Sequence, residues 1–500
     1  MNELHLPWLE LSVLLPLLGA LWVSLERDPD RSRRRALVVA GATLCAAVAA
    51  WLDFATLHTF VAHDHWDITA SVLHHEALVL DELSAPLLPL AALLAMLMIL
   101  ATLRTKVRRF SFARTLVSES ILLAMFACRS PWGVIALLTA ANVPVWIELR
   151  KRGQTPRVFA LHMGLSVALL IAGQLWIDLT PAGAATPVVA VTLLAAAALI
   201  RNGVIPVQCW ISDLFERASF GTALLFVAPM TGAYAVMRLV LPFAPGWLLN
   251  WIALFSIVTS VYAAGMALVQ QDARRFFVYV FLSQSSLVLV GLESANPVGL
   301  TGALCVWLST GLALGGFGLT LRSIEARTGR LSLAEYHGFY DRAPLLAAFF
   351  LLTGLASIGF PATIGFIGTE LLIESAVHES SLAAAIVVAA SALNGLAVLH
   401  AYFRVFSGTV RFGSVDLSAR WSERIAILAL TALIIGGGLY PQPGVSSRHH
   451  AAIKLLSLRP PEPEIHGAAA HHEKASPNFP APPDHSPTHT FVNRTPVASR

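Results

Sequence analysis

Charge is what this chain has least of. Only 13% of its 500 residues are Asp, Glu, Lys or Arg while 56% are hydrophobic, and the mean hydropathy is +0.68. A soluble domain carries about a quarter charged residues, so a soluble fold is excluded. Barrel strands are excluded as well, because they alternate and cannot produce such long continuous apolar runs. Backbone groups in hydrocarbon must pair within their own segment, which leaves helices. Cysteine is scarce too: Cys45, Cys128, Cys209 and Cys305 lie in apolar stretches without CxxC spacing. That excludes a disulfide framework or a cysteine metal cluster, and the four read as small core residues. No GxGxxG follows a strand and no HExxH is present, so the sequence predicts no cofactor and no metal site. The formal net charge of +4 is spread over many short connections, which speaks against nucleic acid as a partner.

What is present is a series of apolar runs, each about long enough for a bilayer of roughly 30 Å. They fall near 7–25, 35–53, 82–103, 112–129, 131–149, 158–178, 186–214, 220–242, 249–270, 275–293, 299–323, 343–376, 381–405 and 423–443. The sequence therefore predicts an all-α polytopic membrane protein with about 14 transmembrane helices. The seventh and twelfth runs are too long for one straight span. They contain Pro206 and the step Gly359-Phe360-Pro361, and both are read as broken helices. Of the 28 Lys and Arg before residue 446, 25 lie in alternate connections, the opposite loops hold only Arg129, and Arg201 and Arg238 lie within helices. The positive-inside rule makes the basic side cytoplasmic, with both termini on the outer, periplasmic face of a bacterial inner membrane. The opening stretch has neither a basic n-region nor a small-residue cleavage site, so the first run is read as a permanent span.

Residues 446–500 differ in kind. After a short, amphipathic-looking piece at 451–458 they run through repeated prolines with little apolar content, and they hold seven of the chain's 17 histidines: His449, His450, His466, His471, His472, His485 and His489. Such a segment is expected to stay extended unless a partner holds it. Two readings stand for it, a metal-collecting tail and a solvated docking strap.

The broken seventh run reads Arg201-Asn-Gly-Val-Ile-Pro206-Val-Gln-Cys-Trp210-Ile-Ser-Asp213. It resembles the Lys-x-x-x-x-Pro-x-x-x-Trp-Leu-Pro-Asp signature of the antiporter-like membrane subunits of respiratory complex I, Mrp antiporters and membrane-bound hydrogenases. Further pieces resemble the same family in the same order. They are Asp81-Glu-Leu-Ser-Ala-Pro86, Gly232-Ala-Tyr234-Ala-Val-Met-Arg238, Gln271-Asp272-Ala-Arg274-Arg275 with Tyr279 and Ser283-Gln284, Gly359 to Gly368, and Gly438 to Pro443. The resemblance covers roughly residues 80–445 and implies two inverted five-helix repeats, each with one broken helix. It divides the chain into 1–110 (the first three spans), 111–242 and 243–405 (the repeats), 406–445 (the last span) and the 446–500 tail. Two interrupted spans at corresponding positions also point, independently, to an ion site near the bilayer midplane.

The resemblance further implies a proton route of a helix 5 glutamate paired to a helix 7 lysine, then lysine or histidine on helices 8 and 11, and lysine or glutamate on helix 12. Carried over residue by residue, most of it is missing. Arg201 replaces the lysine and, holding its proton tightly, suits a fixed countercharge better than a relay. Thr139, Met230, Thr310, Leu314 and Thr369 occupy the other positions. Glu119 matches a family glutamate on helix 4 and is a candidate partner for Arg201, or for its neighbours Ser118 and Ser120. Asp213 matches the aspartate after the broken helix, as a cap or a proton group. Glu370 lies one residue beyond the helix 12 position, and His162 and His400 are further ionisable side chains on the spans. Arg238 is read as a snorkelling anchor, and Arg274 and Arg275 as a basic pair for the membrane surface or a partner. The proton-pathway candidates are thus Glu119, Arg201, Asp213, Glu370 and His400, with Pro206, Gly359 and Pro361 at the helix breaks.

Two functions fit. One is a proton- or cation-conducting subunit that couples ion motive force to a partner, with redox or hydration chemistry residing elsewhere. The other is a scaffold that has lost conduction. The partner implied is other subunits of a membrane complex: a NADH-quinone oxidoreductase, a hydrogenase, an Mrp-like assembly, or the zinc-containing carbonic-anhydrase-like protein of a bacterial inorganic-carbon pump.

Overall fold

The computed structural model describes residues 2–57, 59–64, 78–103, 107–108, 110–181, 184–292, 296–408 and 419–459. Helices α1 (Trp8–Ser24), α2 (Pro29–Leu57), α3 (Leu87–Leu100) and α4 (Phe112–Ala127) come first. Next are α5 (Pro131–Ala140), α6 (Asn142–Lys151), α7 (Arg157–Asp178), α8 (Val188–Asn202), α9 (Cys209–Arg217), α10 (Phe220–Val227) and α11 (Thr231–Ala235), which runs into a π-helical turn, Val236–Val240. The second half holds α12 (Gly246–Val269), α13 (Ala273–Leu292), α14 (Pro297–Thr328), α15 (Pro344–Ala356), α16 (Ile364–Glu379), α17 (Ser381–Phe406), α18 (Trp421–Leu439) and α19 (Gln442–Ser457). Among the described residues nine helical spans are long and apolar enough to cross a membrane, with four shorter apolar helices beside them.

Local chemistry sets several of these starts. Ser130 accepts from the Gly133 amide with Pro131 at the first helical position, Ser219 accepts from the Thr222 amide, and Asn296 accepts from the Val298 amide ahead of Pro297. Each side chain satisfies an amide that the first helical turn leaves open. Helix α1 has no cap of its own. Asp64, on a strand far along the chain, takes the Leu9 and Glu10 amides instead. That strand belongs to a small sheet absent from the sequence expectation. Its β1 (Asn2–Leu4) runs parallel to β2 (Val61–Asp64), which pairs antiparallel with β3 (Leu80–Asp81).

Helices α13 and α14 are buried along nearly their whole length, and α14 packs against α3, α13, α15, α16, α18 and α19. The surrounding helices turn leucine, tryptophan and phenylalanine outward: Leu21, Leu161, Leu254 and Leu396 are each about half exposed or more. Such an apolar exterior around a polar-spotted interior suits hydrocarbon and would be a liability in water. The same fact corrects the reading of the cysteines. Cys128 and Cys305 are buried, whereas Cys45 and Cys209 lie on exposed faces, because lipid-facing positions tolerate a small apolar residue as well as the core does.

Both runs read as broken are broken. Helix α8 ends in Gly203 at φ +73°, whose amide returns to the Ile200 carbonyl while the Val204 amide reaches Leu199, a left-handed glycine stop. The Ile205-Pro206 peptide follows in cis, and the chain re-enters a helix at Cys209. In the twelfth run, residues 357–363 separate α15 from α16, with Gly359 at φ +79° and Ala362 at φ +66°. The eighth run corrects the expectation of one continuous helix over 220–242: it breaks between Val227 and Thr231, with Met230 at φ +55°. Pro229, with no amide to donate and a ring that crowds the preceding turn, is the physical cause. The 446–500 boundary also shifts, since α19 spans Gln442–Ser457 and packs on α14. Its Arg448, 2% exposed, donates to the Glu82 and Leu83 carbonyls, and His449 bonds Thr301. These tertiary partners order residues that composition alone reads as extended. Residues 460–500, with His466, His471, His472, His485 and His489, lie outside the described residues.

Candidate functional site

The basic connections gather at one end of the bundle around a cavity of about 240 Å³ lined by Arg152, Ser219, Arg274, Arg322, Glu325 and Glu423. Arg274 grips Glu325 in a two-pronged ion pair, and Arg327 holds the fully buried Glu423. The Arg322 guanidinium reaches the Met98 carbonyl and Thr102 hydroxyl and stacks on Phe110.

Glu148, near the end of α6 and 4% exposed, lines a second cavity deeper inside, and two of its partners, Arg152 and Ser219, line the vestibule. One carboxylate oxygen accepts from Arg152 Nε (2.9 Å) and the Ser219 amide (2.9 Å); the other accepts from the Thr222 hydroxyl and faces Arg114 at 3.6 Å. Four groups from three helices and their caps thus converge on one carboxylate, the pairing that makes a buried charge tolerable. The deeper cavity, about 40 Å³, is walled by Ser111, Arg114, Thr115 and Ser118 of α4 and its cap, by Pro144 and Glu148 of α6, and by Thr222, Phe226, Thr231 and Arg201. At about 10–15 Å³ per water it has room for a few waters.

Arg201 closes its far side. The residue is in the last turn of α8, two residues before the Gly203 stop, and is 4% exposed. Its Nε donates to Thr231 Oγ1 (2.9 Å), its Nη1 to Asn142 Oδ1 (3.3 Å) and toward Met163 Sδ, its Nη2 has no hydrogen-bond partner, and the guanidinium stands over the Phe226 ring at 5.3 Å. Thr231 follows the Met230 break, so the guanidinium stands where two interrupted spans meet. On its other side a cavity of about 20 Å³, one water's worth, touches Asn202, Trp210, Met230, Gly232 and Phe281.

The structure separates the other sequence candidates. Glu119 is buried at 2% exposure, but neither carboxylate oxygen has a hydrogen-bond partner, and no ion pair joins it to Arg201. The expected pair is therefore not formed, nor is the alternative with its neighbours, since Ser120 bonds the Val13 carbonyl. Asp213 is no cap, being within α9, where it pairs with Arg217 at 2.6 Å while Arg217 pins Thr155. Glu370 points out of the bundle on an exposed face of α16, because the one-residue offset from Thr369 rotates it about 100°. His400 is exposed and near Arg404 only, and His162 bonds the Val158 carbonyl and faces Cys209. Arg238 is no snorkelling anchor: it forms a buried ion pair with Asp81 at 2.6 Å and donates to the Tyr234 hydroxyl. Arg274 and Arg275 turn to Glu325 and Glu216 of this chain. Thr139 is exposed and bonds the Ile135 carbonyl of its own helix.

Of the proton-pathway candidates only Arg201 lines the cavity. The acid that joins it, Glu148, was missed because Glu148-Leu-Arg-Lys-Arg152 reads as the ordinary charged rim of a span. Its one signal was position, an acid inside an otherwise basic rim.

Residues 159–394 match the family model described as NADH:quinone oxidoreductase/Mrp antiporter, TM. NAD(P)H-quinone oxidoreductase chain 4 3 of Trichormus variabilis is 26% identical over 485 residues, covering 88% of this chain and 90% of the relative. NADH-quinone oxidoreductase subunit M of Rickettsia prowazekii is 28% identical over 267 residues, covering 51% of this chain and 54% of the relative. In fold, a chain of respiratory complex I from Thermus thermophilus matches with a TM-score of 0.79 at 22% identity, over 90% of this chain and 99% of that one. A chain of the Mrp complex from a Dietzia species matches with a TM-score of 0.80 at 19% identity, over 90% and 97%. The ordered motifs, the broken spans, the matched model and the shared fold together make this multi-pass membrane protein similar to the antiporter-like membrane subunits of complex I and Mrp.

Proposed function

We propose that the chain is a proton-conducting membrane subunit that couples ion motive force to partner subunits, with its route in the first half of the fold. The observation that carries this reading is the succession of vestibule, Glu148, inner cavity and Arg201 across two helix breaks. Glu148 is the proton-exchanging group, because a carboxylate that lines the inner cavity and is held by Arg152 and Ser219 of the vestibule can exchange a proton with water in that cavity. Arg201 keeps its charge and sets the field through which the proton passes. Glu119, buried one residue along α4 from the cavity-lining Ser118, is the second candidate, an acid beside the route rather than in its wall. The basic end is the cytoplasmic one, as the positive-inside rule requires, with the N-terminus on the periplasmic face of a bacterial inner membrane.

Membership in a larger assembly is supported by Glu370 and Glu374, which face outward one turn apart on α16. Carboxylates turned to lipid cost several kcal/mol, so that face favours protein contact. Thr139, Met230, Thr310, Leu314 and Thr369, standing where the respiratory pattern carries titratable groups, favour an inorganic-carbon uptake complex with a zinc-containing, carbonic-anhydrase-like partner over a quinone oxidoreductase. Affinity purification of the tagged chain from its native membrane separates the two: a stoichiometric zinc protein supports the first, and quinone-reductase subunits overturn it.

The test of conduction is reconstitution of the purified complex in vesicles under a pH gradient. Glu148→Gln is expected to lower proton flux at least about tenfold, within the range typical of a lost proton-transfer group. Unchanged flux in both Glu148→Gln and Glu119→Gln refutes conduction along this route and leaves the chain a scaffold.

A further inference from the structure

We propose that the cavity closed by Arg201 binds a small monovalent anion, of chloride or bicarbonate size, as the countercharge of the guanidinium. The site stands whether or not protons move along the route above, because it rests on charge balance and hydrogen-bond accounting at Arg201.

Arg201 is 4% exposed and every partner it has is neutral: the Thr231 hydroxyl, the Asn142 amide oxygen, the Met163 sulfur and the Phe226 ring. Among the described residues no carboxylate lies within ion-pair distance, and Nη2, buried in the cavity wall, has no hydrogen-bond partner. Arginine does not shed its proton to escape burial as lysine does, and an uncompensated charge at this depth is costly. The ionisable groups lining the space are Arg114, Arg201 and Glu148, and Arg152 holds the far side of Glu148. Two cations and one carboxylate line the space, and that carboxylate is shared with Arg152, so the cavity is electropositive. Glu119 does not restore the balance, since it is absent from the lining and is not paired with Arg201.

The rest of the wall supplies what an anion needs. Ser111, Ser118 and Thr231 bring hydroxyls to the cavity that can turn a proton toward an acceptor, while those of Thr115 and Thr222 donate to the Ser111 carbonyl and to Glu148. A volume of about 40 Å³ admits a particle of a few water volumes and excludes larger organic anions. The arginines of the vestibule draw anions toward the entrance from the basic end.

The experiment uses the full chain in lipid nanodiscs, with sodium chloride or sodium bicarbonate exchanged against sodium gluconate at constant ionic strength while thermal unfolding is followed. A bound ion raises the midpoint in a saturable way. A saturable rise in chloride or in bicarbonate, absent in gluconate and lost in Arg201→Gln, is the expected result, and the ion with the lower half-saturation is the occupant. Ser118→Leu fills the cavity and leaves Arg201 in place; it is expected to weaken half-saturation by about tenfold or more, the loss of one charge-assisted contact. Broadening of the chloride NMR line by wild-type protein, reversed by bromide, reads the same site without any variant. Equal midpoints in chloride, bicarbonate and gluconate overturn the proposal, as does a halide or bicarbonate shift that survives both substitutions.

Discussion

The two broken spans solve one structural problem in opposite ways. At the first, the interruption is charged and leaves room for water: Arg201 and Asn202 end the helix, two cavities flank the guanidinium, and Glu148 lines the larger of them. At the second, hydroxyls do the same work and consume themselves in doing it. Thr353 bonds Phe349, Ser357 bonds Gly354, Thr363 bonds Phe360 and Thr369 bonds Gly365, each through a backbone carbonyl of its own segment. The only acid near that break, Glu370, faces outward. A helix break frees backbone groups, but whether it becomes an ion site depends on what satisfies them. Short hydroxyl side chains close the gap locally, whereas a long cation needs remote partners and leaves room for water.

The sharpest way to break this contrast is to remove the acid of the first site. Glu148→Ala leaves the Ser219 amide and the Thr222 hydroxyl without their acceptor and Arg114 without its carboxylate, and a loss of about 1–3 kcal/mol is expected, the usual cost of unsatisfied buried donors. Chemical unfolding in mixed micelles reads it, and a loss below about 1 kcal/mol, the scale of an exposed pair, would show that the cluster is solvated. The second site is probed through its backbone. At Gly359 the φ of +79° disfavours any side chain, and an added Cβ would stand 2.5 Å from Thr369 Oγ1. Gly359→Ala is therefore expected to destabilise by about 1–3 kcal/mol while proton flux per folded molecule stays at the wild-type level. Reduced flux there would mean that the second break also conducts. The smallest effect belongs to Glu370→Gln, expected to leave the flux unchanged and stability within about 0.5 kcal/mol. A loss of flux in that variant would place a route through the second half and erase the asymmetry.

Much of the architecture was legible in the sequence because it follows from counting. Each apolar run is set by bilayer thickness, and Pro206 and Gly359 break helices for reasons internal to the backbone. The third break was legible too, in Ala228-Pro229-Met230, but the run was no longer than an unbroken span and so raised no alarm. The site was less legible. Position along a helix fixes which residue is present, while rotation about the axis fixes where it points, and one residue changes that by about 100°. Thus Glu370 turned outward. Glu119 came near the right wall, one residue from Ser118, but without reaching the cavity.

The sequence by itself determined that this protein lives in a membrane, that its spans are helices, and that an arginine ends the first interrupted span. Those follow from scarce charge, run length and backbone chemistry, all of which act within a few residues. Only the tertiary structure decided which charges meet. Glu148 finds Arg114, Arg152, Ser219 and Thr222, Arg238 finds Asp81 from 157 residues away, and Arg448 reaches the turn at Glu82. The physical reason is that a buried charge is stabilised by partners supplied by other helices, and their approach is set by packing across the whole bundle.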